Sequence, residues 1–164
     1  MNHHAHTMHR AIILAGLAGA MAEVLWVALY CAVTPLSGAE VLRQITASLF
    51  PGMVESAWAS ALGMSIHLVL GIAVAYAFGL LVWRTFARRF GAGATLGLAM
   101  VALSAIWTVN FFVLLPVMNP LFVGLMPYAV TFVSKVLFAI AMATTLSLHA
   151  GDAFEHTIGR HVYS

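Results

Sequence analysis

Three ionisable side chains lie inside long apolar stretches of this 164-residue chain: Glu23, His67 and Lys135. A charged group in the hydrocarbon core of a bilayer is costly, so such residues face other helices or a hydrated cavity and are candidates for function. A carboxylate, an imidazole and an ammonium that lie close together can form a buried ion pair, relay a proton or bind a polar ligand.

Four apolar runs carry these residues, and each run is long enough to cross a membrane, which takes roughly 20 residues. The chain is 63% hydrophobic and 7% charged, a composition that excludes a water-soluble domain. We therefore predict one membrane domain over residues 1–164: an all-α, antiparallel bundle of four transmembrane helices in contact with the lipid bilayer. The predicted spans are Ala11–Val33, Trp58–Trp83, Ala92–Leu115 and Tyr128–His149.

The arginines predict the orientation of these spans. Three of them lie at positions 84–89, between the second and third runs, while Arg10 precedes the first run and Arg160 follows the fourth. The other two connections hold Arg43 alone. Because positive residues stay on the cytoplasmic side, we predict a multi-pass protein of the bacterial inner membrane with both termini in the cytoplasm.

The first outer connection predicts a short helix over residues 38–49. Ser37 and Glu40 have the spacing of a capping box, and an amphipathic pattern follows until Pro51. This helix is too short to span. It lies either in the outer membrane interface or packed on the protein. The connection at 116–127 is apolar and contains prolines, which predicts a short cap over the outer end of the bundle.

Small residues at four-residue spacing mark the faces through which helices pack in lipid. Each of the three ionisable residues falls on such a stripe, so each is predicted to point towards another helix. The pairs Gly16 and Ala20, and Gly93 and Gly97, offer additional faces for a partner protein. The predicted packing residues are Gly19, Gly63, Gly71, Gly79 and Ala139.

Helical rise gives a depth for each polar residue, measured from the cytoplasmic end. Glu23 and Lys135 fall at roughly 20 Å and 21 Å, His67 at roughly 26 Å and Asn110 at roughly 28 Å. We therefore predict a polar cluster of these four residues, with Glu23 and Lys135 paired directly or through His67 or water. Four interpretations stay open: a pair that fixes helix register and partner choice, a proton relay or ligand pocket, a Lys135 that reaches the outer head groups, and contacts to a neighbouring protein.

Two tryptophans fall at similar depths within the bilayer, Trp26 and Trp107. We expect them to fill volume around the polar cluster, with their indole N–H groups directed at Glu23 or Asn110. A region between two tryptophans also suits a quinone or another lipid.

The N-terminal segment is rich in histidine. A histidine at position three, together with a free amine and backbone amides, suits square-planar Cu(II) or Ni(II). A plain histidine-rich tail without a metal is the alternative. No other cofactor is predicted. The candidate metal ligands are His3, His4, His6 and His9.

The order of the segments along the chain resembles that of a known group. The segments are the small-residue first helix (AGLAGAMAE), the outer helix (AEVLRQITASLF), the HLVLG of the second helix, the FFVLLP that ends the third, and a small-residue fourth helix. They resemble bacterial four-helix inner-membrane proteins of the YagU-like kind. The resemblance implies the fold and no established activity. Such proteins often carry a second histidine in the fourth helix, where this chain has Lys135, so histidine-pair chemistry does not carry over.

No nucleophile motif, HExxH or phosphate-binding loop is found, so we predict that the protein is not an enzyme, and no basic patch with aromatics suggests a nucleic-acid partner. The leading functional hypothesis is an accessory or structural subunit of a larger membrane complex, for example a respiratory one. The competing hypothesis is a small oligomeric transporter or channel for protons or a metal ion, with Glu23, His67 and Lys135 along the path.

Overall fold

The computed structural model describes the backbone of residues 2–162 and the side chains of residues 7–83, 85 and 91–149. Within this part of the chain there are helices and connections and no strand, which confirms the all-α prediction. The α-helices are α1 (Asn2–Ala32), α2 (Gly38–Leu49), α3 (Ala59–Phe78), α4 (Arg88–Val109), α5 (Leu115–Met118), α6 (Pro120–Leu125) and α7 (Tyr128–Val162).

Four helical segments are long and apolar enough to cross a membrane: Thr7–Ala32, Ala59–Trp83, Gly91–Met118 and Tyr128–His149. They match the four predicted runs, and the protein is a multi-pass membrane protein. Large apolar side chains project outward from these segments; Leu25, for example, is 65% exposed. Such side chains contact lipid, because a bilayer removes the cost of exposing them.

Two helices form the centre of the bundle, α1 and α7, and they share its most extensive interface. Helix α3 packs on α1, and α4 packs on α7, so the neighbouring spans are antiparallel. The core between the spans contains Ile12 of α1 and Phe138, Met142 and Leu146 of α7, all almost fully buried.

Small residues set the closest helix approaches. A Cβ atom added to Gly16 would lie 2.7 Å from the Cα of Ile72, so α1 and α3 touch backbone to backbone. A Cβ on Gly19 would lie 2.8 Å from the ring of Phe138 in α7. The predicted stripe of α3 serves two partners, because Gly71 and Gly79 pack against α1 while Gly63 packs against the carbonyl of Leu42 in α2.

The idea that Gly16 and Ala20 offer a free face is wrong, since both are buried against α3. The other pair differs: Gly93 and Gly97 are exposed, and a Cβ on either would meet nothing within 4 Å. We call the side of α4 that carries Gly93, Gly97, Val101 and Ala105, which are all exposed, the open face.

The outer helix α2 spans residues 38–49 as predicted, and it packs on α3. The hydroxyl of Thr46, fully buried, donates to the carbonyl of Ala59 at 2.6 Å. Ser37 is the N-cap, but its side chain makes no capping bond, and so the predicted capping box does not form. The carboxylate of Glu40 instead accepts from the amide of Gln44 at 2.8 Å, one turn along the helix.

The predicted outer cap consists of α5 and α6, and Asn119 ties it to α2. The side-chain oxygen of Asn119 accepts from the backbone N–H of Phe122 at 3.2 Å and so caps α6. Its amide nitrogen lies 2.8 Å from the carbonyl of Gln44 and 3.1 Å from the hydroxyl of Ser48.

Two segments of π-helix were not predicted, Gly79–Ala87 and Asn110–Leu114. In the second, the N–H of Leu115 donates to the carbonyl of Asn110, five residues back. Pro116 follows directly. Its missing N–H and its ring prevent the normal bond to the carbonyl four residues back, and a wider turn before the proline accommodates this.

Candidate functional site

The carboxylate of Glu23 is the centre of the candidate site. It lies on the side of α1 that faces α7, and only 4% of its side chain is exposed. The Nζ atom of Lys135 in α7 lies 2.6 Å from its Oε1 atom, a close ion pair. The direct pair, one of the predicted arrangements, is therefore the one that the structure contains.

Two further side chains reach the same carboxylate. The hydroxyl of Ser134 lies 3.2 Å from the Oε1 atom of Glu23 and 2.8 Å from the carbonyl of Thr131. The Nε2 atom of His67 in α3 lies 3.6 Å from the Oε2 atom. One carboxylate thus joins three helices, and we call Glu23, Lys135, His67 and Ser134 the charge cluster.

The neighbours of His67 assign its tautomer. Its Nε2 atom lies 3.3 Å from the carbonyl oxygen of Ala20 and also faces the carboxylate of Glu23. Both neighbours are acceptors, so Nε2 carries the hydrogen. The Nδ1 atom has no hydrogen-bond partner among the side chains and backbone that the structure describes, and in the neutral ring it offers a lone pair.

Exposure differs sharply within the charge cluster. The carboxylate is buried, but 22% of the Lys135 side chain and 20% of the His67 side chain are exposed. The cluster is therefore not sealed inside the protein. Molecules outside the bundle can contact Lys135 and His67, and on the buried side both residues face the carboxylate of Glu23.

The structure does not bring Asn110 into contact with the charge cluster. The indole N–H of Trp107 donates to the hydroxyl of Thr131 at 3.1 Å, which aligns α4 with α7. Asn110 lies one turn outward from Trp107, and Lys135 lies one turn inward from Thr131, an axial separation of about 10 Å. The half-buried side chain of Asn110 makes no hydrogen bond to any residue described in the structure.

The indole groups do not bind Glu23 or Asn110, so that expectation is wrong. Trp26 donates to the backbone carbonyl of Val130 at 2.9 Å, and both indoles therefore bind the N-terminal end of α7. Their effect is to fix the register of α7 against α1 and α4. Trp107 also packs against four other rings, those of Phe111, Phe112, Tyr128 and Phe132.

Of the predicted metal ligands, His3, His4 and His6 lie outside the described side chains. The ring of His9 stacks on Tyr76 of α3 with 5.8 Å between ring centroids. Within the described side chains His9 joins no group of three metal-binding residues. Copper or nickel at the N-terminus stays a prediction.

Sequence reasoning missed two partners in the charge cluster. The residue type of Ser134 predicts a hydroxyl that bonds to its own helix backbone, which it does here, but not the additional bond to Glu23. The carbonyl of Ala20 is a backbone group without a sequence signal. The adjacency of Ser134 to Lys135 was the one available clue.

Comparisons with protein-family models, with curated proteins and with solved structures find no match to this chain.

Proposed function

We propose that this protein is an accessory or structural subunit of a larger membrane complex in the bacterial inner membrane, with a respiratory complex as the first to examine. The observation that carries the proposal is the open face of α4. Gly93 and Gly97 have nothing within 4 Å of where a Cβ atom would lie, although small residues in lipid are typical of helix contacts. The longest connection between the spans, residues 33–58, holds little more than α2, and so association through the membrane segments is the economical interaction.

The charge cluster suits the role of a structural subunit because it holds three helices of the protein together. Glu23 joins α1 to α7 through Lys135 and approaches α3 through His67. A buried ion pair contributes less to net stability than to the choice of partner and register. It would keep α1, α3 and α7 in one arrangement and leave α4 to present its open face to the partner.

The test uses a substitution that the fold tolerates. Gly97→Leu adds a side chain where the structure has open space, so the protein should fold, and leucine also has the higher helix propensity. We expect it to block helix approach and to release the protein from its complex in mild detergent. Native mass, with identification of the co-migrating proteins, is the readout.

The control for this experiment is Ala73→Leu, an exposed position of α3. It should leave the native mass unchanged. Equal native masses for wild type and both variants, at the value of the single chain in detergent, would contradict the subunit proposal.

The second candidate function is transport of protons or a metal ion by an oligomer. The partial exposure of Lys135 and His67 favours transport. An ion path between the subunits of an oligomer needs ionisable groups that are accessible from outside each single bundle. Flux into vesicles that contain the purified protein should then fall to background in the double variant Glu23→Gln with Lys135→Gln, which removes both charges together. Flux from wild type that equals that of empty vesicles would reject transport.

The orientation and the kinship with the YagU-like proteins also stand as proposals. The described backbone runs from residue 2 to residue 162 through four spans, so both ends lie on one side. In a protein whose native Cys31 is changed to alanine, an impermeant thiol reagent should label a cysteine placed at exposed Glu55 in intact spheroplasts and should not label one placed at exposed Thr85. The opposite labelling would reverse the orientation.

A further inference from the structure

The charge cluster has hydrogen-bonding capacity that the protein leaves unused. The ammonium of Lys135 has three N–H donors, and among the described residues its one partner is the carboxylate of Glu23. The Nδ1 atom of His67 has no partner within the same part of the chain. In hydrocarbon such groups are costly without a partner, so the site favours a molecule that supplies one.

The charges of the cluster select the kind of molecule. Glu23 is negative and Lys135 positive, so this ion pair has no net charge. A second anion beside Lys135 would be repelled by the carboxylate, which lies 2.6 Å from its Nζ atom. A neutral oxygen that accepts from Lys135 fits this environment better.

The location of the site within the membrane spans indicates what the remainder of the ligand, beyond its polar head group, is like. Lys135 and His67 lie within the segments Tyr128–His149 and Ala59–Trp83, which are apolar enough to span a membrane. A ligand that reaches them from the bilayer needs a lipid-soluble body. Both residues approach the oxygens of a single carboxylate, so their side chains lie near each other within the bundle.

We infer that the charge cluster binds the neutral carbonyl or hydroxyl head group of a lipid-soluble molecule, with the quinone and quinol class as the best fit. A quinone carbonyl accepts from Lys135, and a quinol hydroxyl donates to the Nδ1 atom of His67. This site is independent of the proposed contact through α4, so either proposal can fail without the other.

A natural reporter lies beside the site. Trp26 is three residues from Glu23 on α1, a rise of about 4.5 Å, and its indole is held by the carbonyl of Val130. Quinones quench tryptophan fluorescence on contact. A variant with Trp58, Trp83 and Trp107 changed to phenylalanine would report on Trp26 alone.

The experiment titrates this full-length single-tryptophan protein in lipid nanodiscs with decylubiquinone. We expect quenching that saturates. Decylubiquinone has no hydroxyl hydrogen for Nδ1 of His67, so His67→Gln is tested with decylubiquinol as a competitor. The decylubiquinol concentration that displaces half of the bound decylubiquinone should rise about tenfold or more, as for the loss of a hydrogen bond in a site shielded from water. Ser65→Ala is the control, because Ser65 is exposed on the same helix and bonds to its own turn at Ala61, and it should leave binding unchanged.

A second variant guards against misfolding. Glu23→Gln with Lys135→Gln removes both charges without leaving one of them buried alone, and it too should weaken saturable quenching. Competition with monoolein separates two sources of the same chemistry: displacement identifies a lipid carbonyl as the occupant, and retention identifies a quinone. The inference would be overturned by quenching that rises linearly with decylubiquinone, by unchanged quenching in the double variant, or by unchanged competition from decylubiquinol in His67→Gln.

Discussion

Small residues at four-residue spacing occur both at the interface between α1 and α3 and on the open face of α4. The first set is packed against a neighbouring helix and the second is exposed. Gly16 and Gly71 bring α1 and α3 into backbone contact, whereas Gly93 and Gly97 have open space around them. Only the first interface lies next to the charge cluster, through His67 and Glu23. Small-residue spacing therefore marks where a helix can approach another. Whether the contact is made within one chain depends on what else that face carries.

The largest expected effect on stability comes from the charge cluster, which lies next to the interface between α1 and α3. Lys135→Met removes the partner of a carboxylate that is 4% exposed and leaves its charge buried. We expect the free energy of unfolding to fall by about 3–5 kcal/mol, measured by thermal unfolding in detergent.

Its control is the double variant Glu23→Leu with Lys135→Leu, which replaces the pair with apolar side chains. It should recover most of the lost stability, since a buried ion pair is often no more stable than a hydrophobic replacement. If Lys135→Met unfolds at the wild-type temperature, the carboxylate of Glu23 is solvated. The surroundings of the charge cluster would then be accessible, as the open face of α4 is.

A matched pair of glycine substitutions compares the two regions directly. Gly16→Leu places a side chain against the backbone of Ile72 and should destabilise the protein by about 1–3 kcal/mol or prevent folding. Gly97→Leu meets nothing within 4 Å and should unfold at or above the wild-type temperature. Equal destabilisation by both would mean that the two faces do not differ.

The outer cap gives an intermediate effect. Asn119→Ala removes the N-cap of α6 and the bonds to Gln44 and Ser48 on α2. We expect a loss of about 1–2 kcal/mol, with faster amide exchange in residues 120–125 than in the spans. Unchanged exchange there would show that other contacts hold the cap in place.

The smallest effect compares two hydroxyl groups. Thr46→Val removes the buried bond to Ala59 and should cost about 1 kcal/mol of unfolding free energy. Ser65→Ala removes an exposed hydroxyl that bonds within its own turn and should be close to neutral. A Thr46 variant as stable as the Ser65 variant would argue against close packing of α2 on α3.

The spans could be predicted from the sequence because length and apolarity are sufficient to define them. Helix α2 could be predicted because residues typical of helix ends flank it on both sides. Depth along the helices was enough to pair Glu23 with Lys135. The same argument put Asn110 roughly 7 Å from the depth of Lys135, a separation that its short side chain does not cover. The hydrogen bond between Trp107 and Thr131 aligns α4 with α7 at a similar separation, about 10 Å.

Other features depend on contacts that a one-dimensional pattern does not contain. The indole of Trp26 binds a backbone carbonyl, which every residue carries, so its partner Val130 had no signal. The choice between Gly16 and Gly97 as a free face depends on which helices become neighbours. The π-helical turn before Pro116 had a clue in the proline, but other adjustments would also accommodate one.

The most direct test of the central claim is site-specific photo-crosslinking in native membranes, with the reactive side chain introduced at position 97 in α4 and, as a control, at position 73 in α3. Both positions are exposed. We predict a crosslink to one defined protein from position 97 and crosslinks to lipid alone from position 73. Lipid adducts alone from both positions would contradict the claim that the open face of α4 contacts a partner.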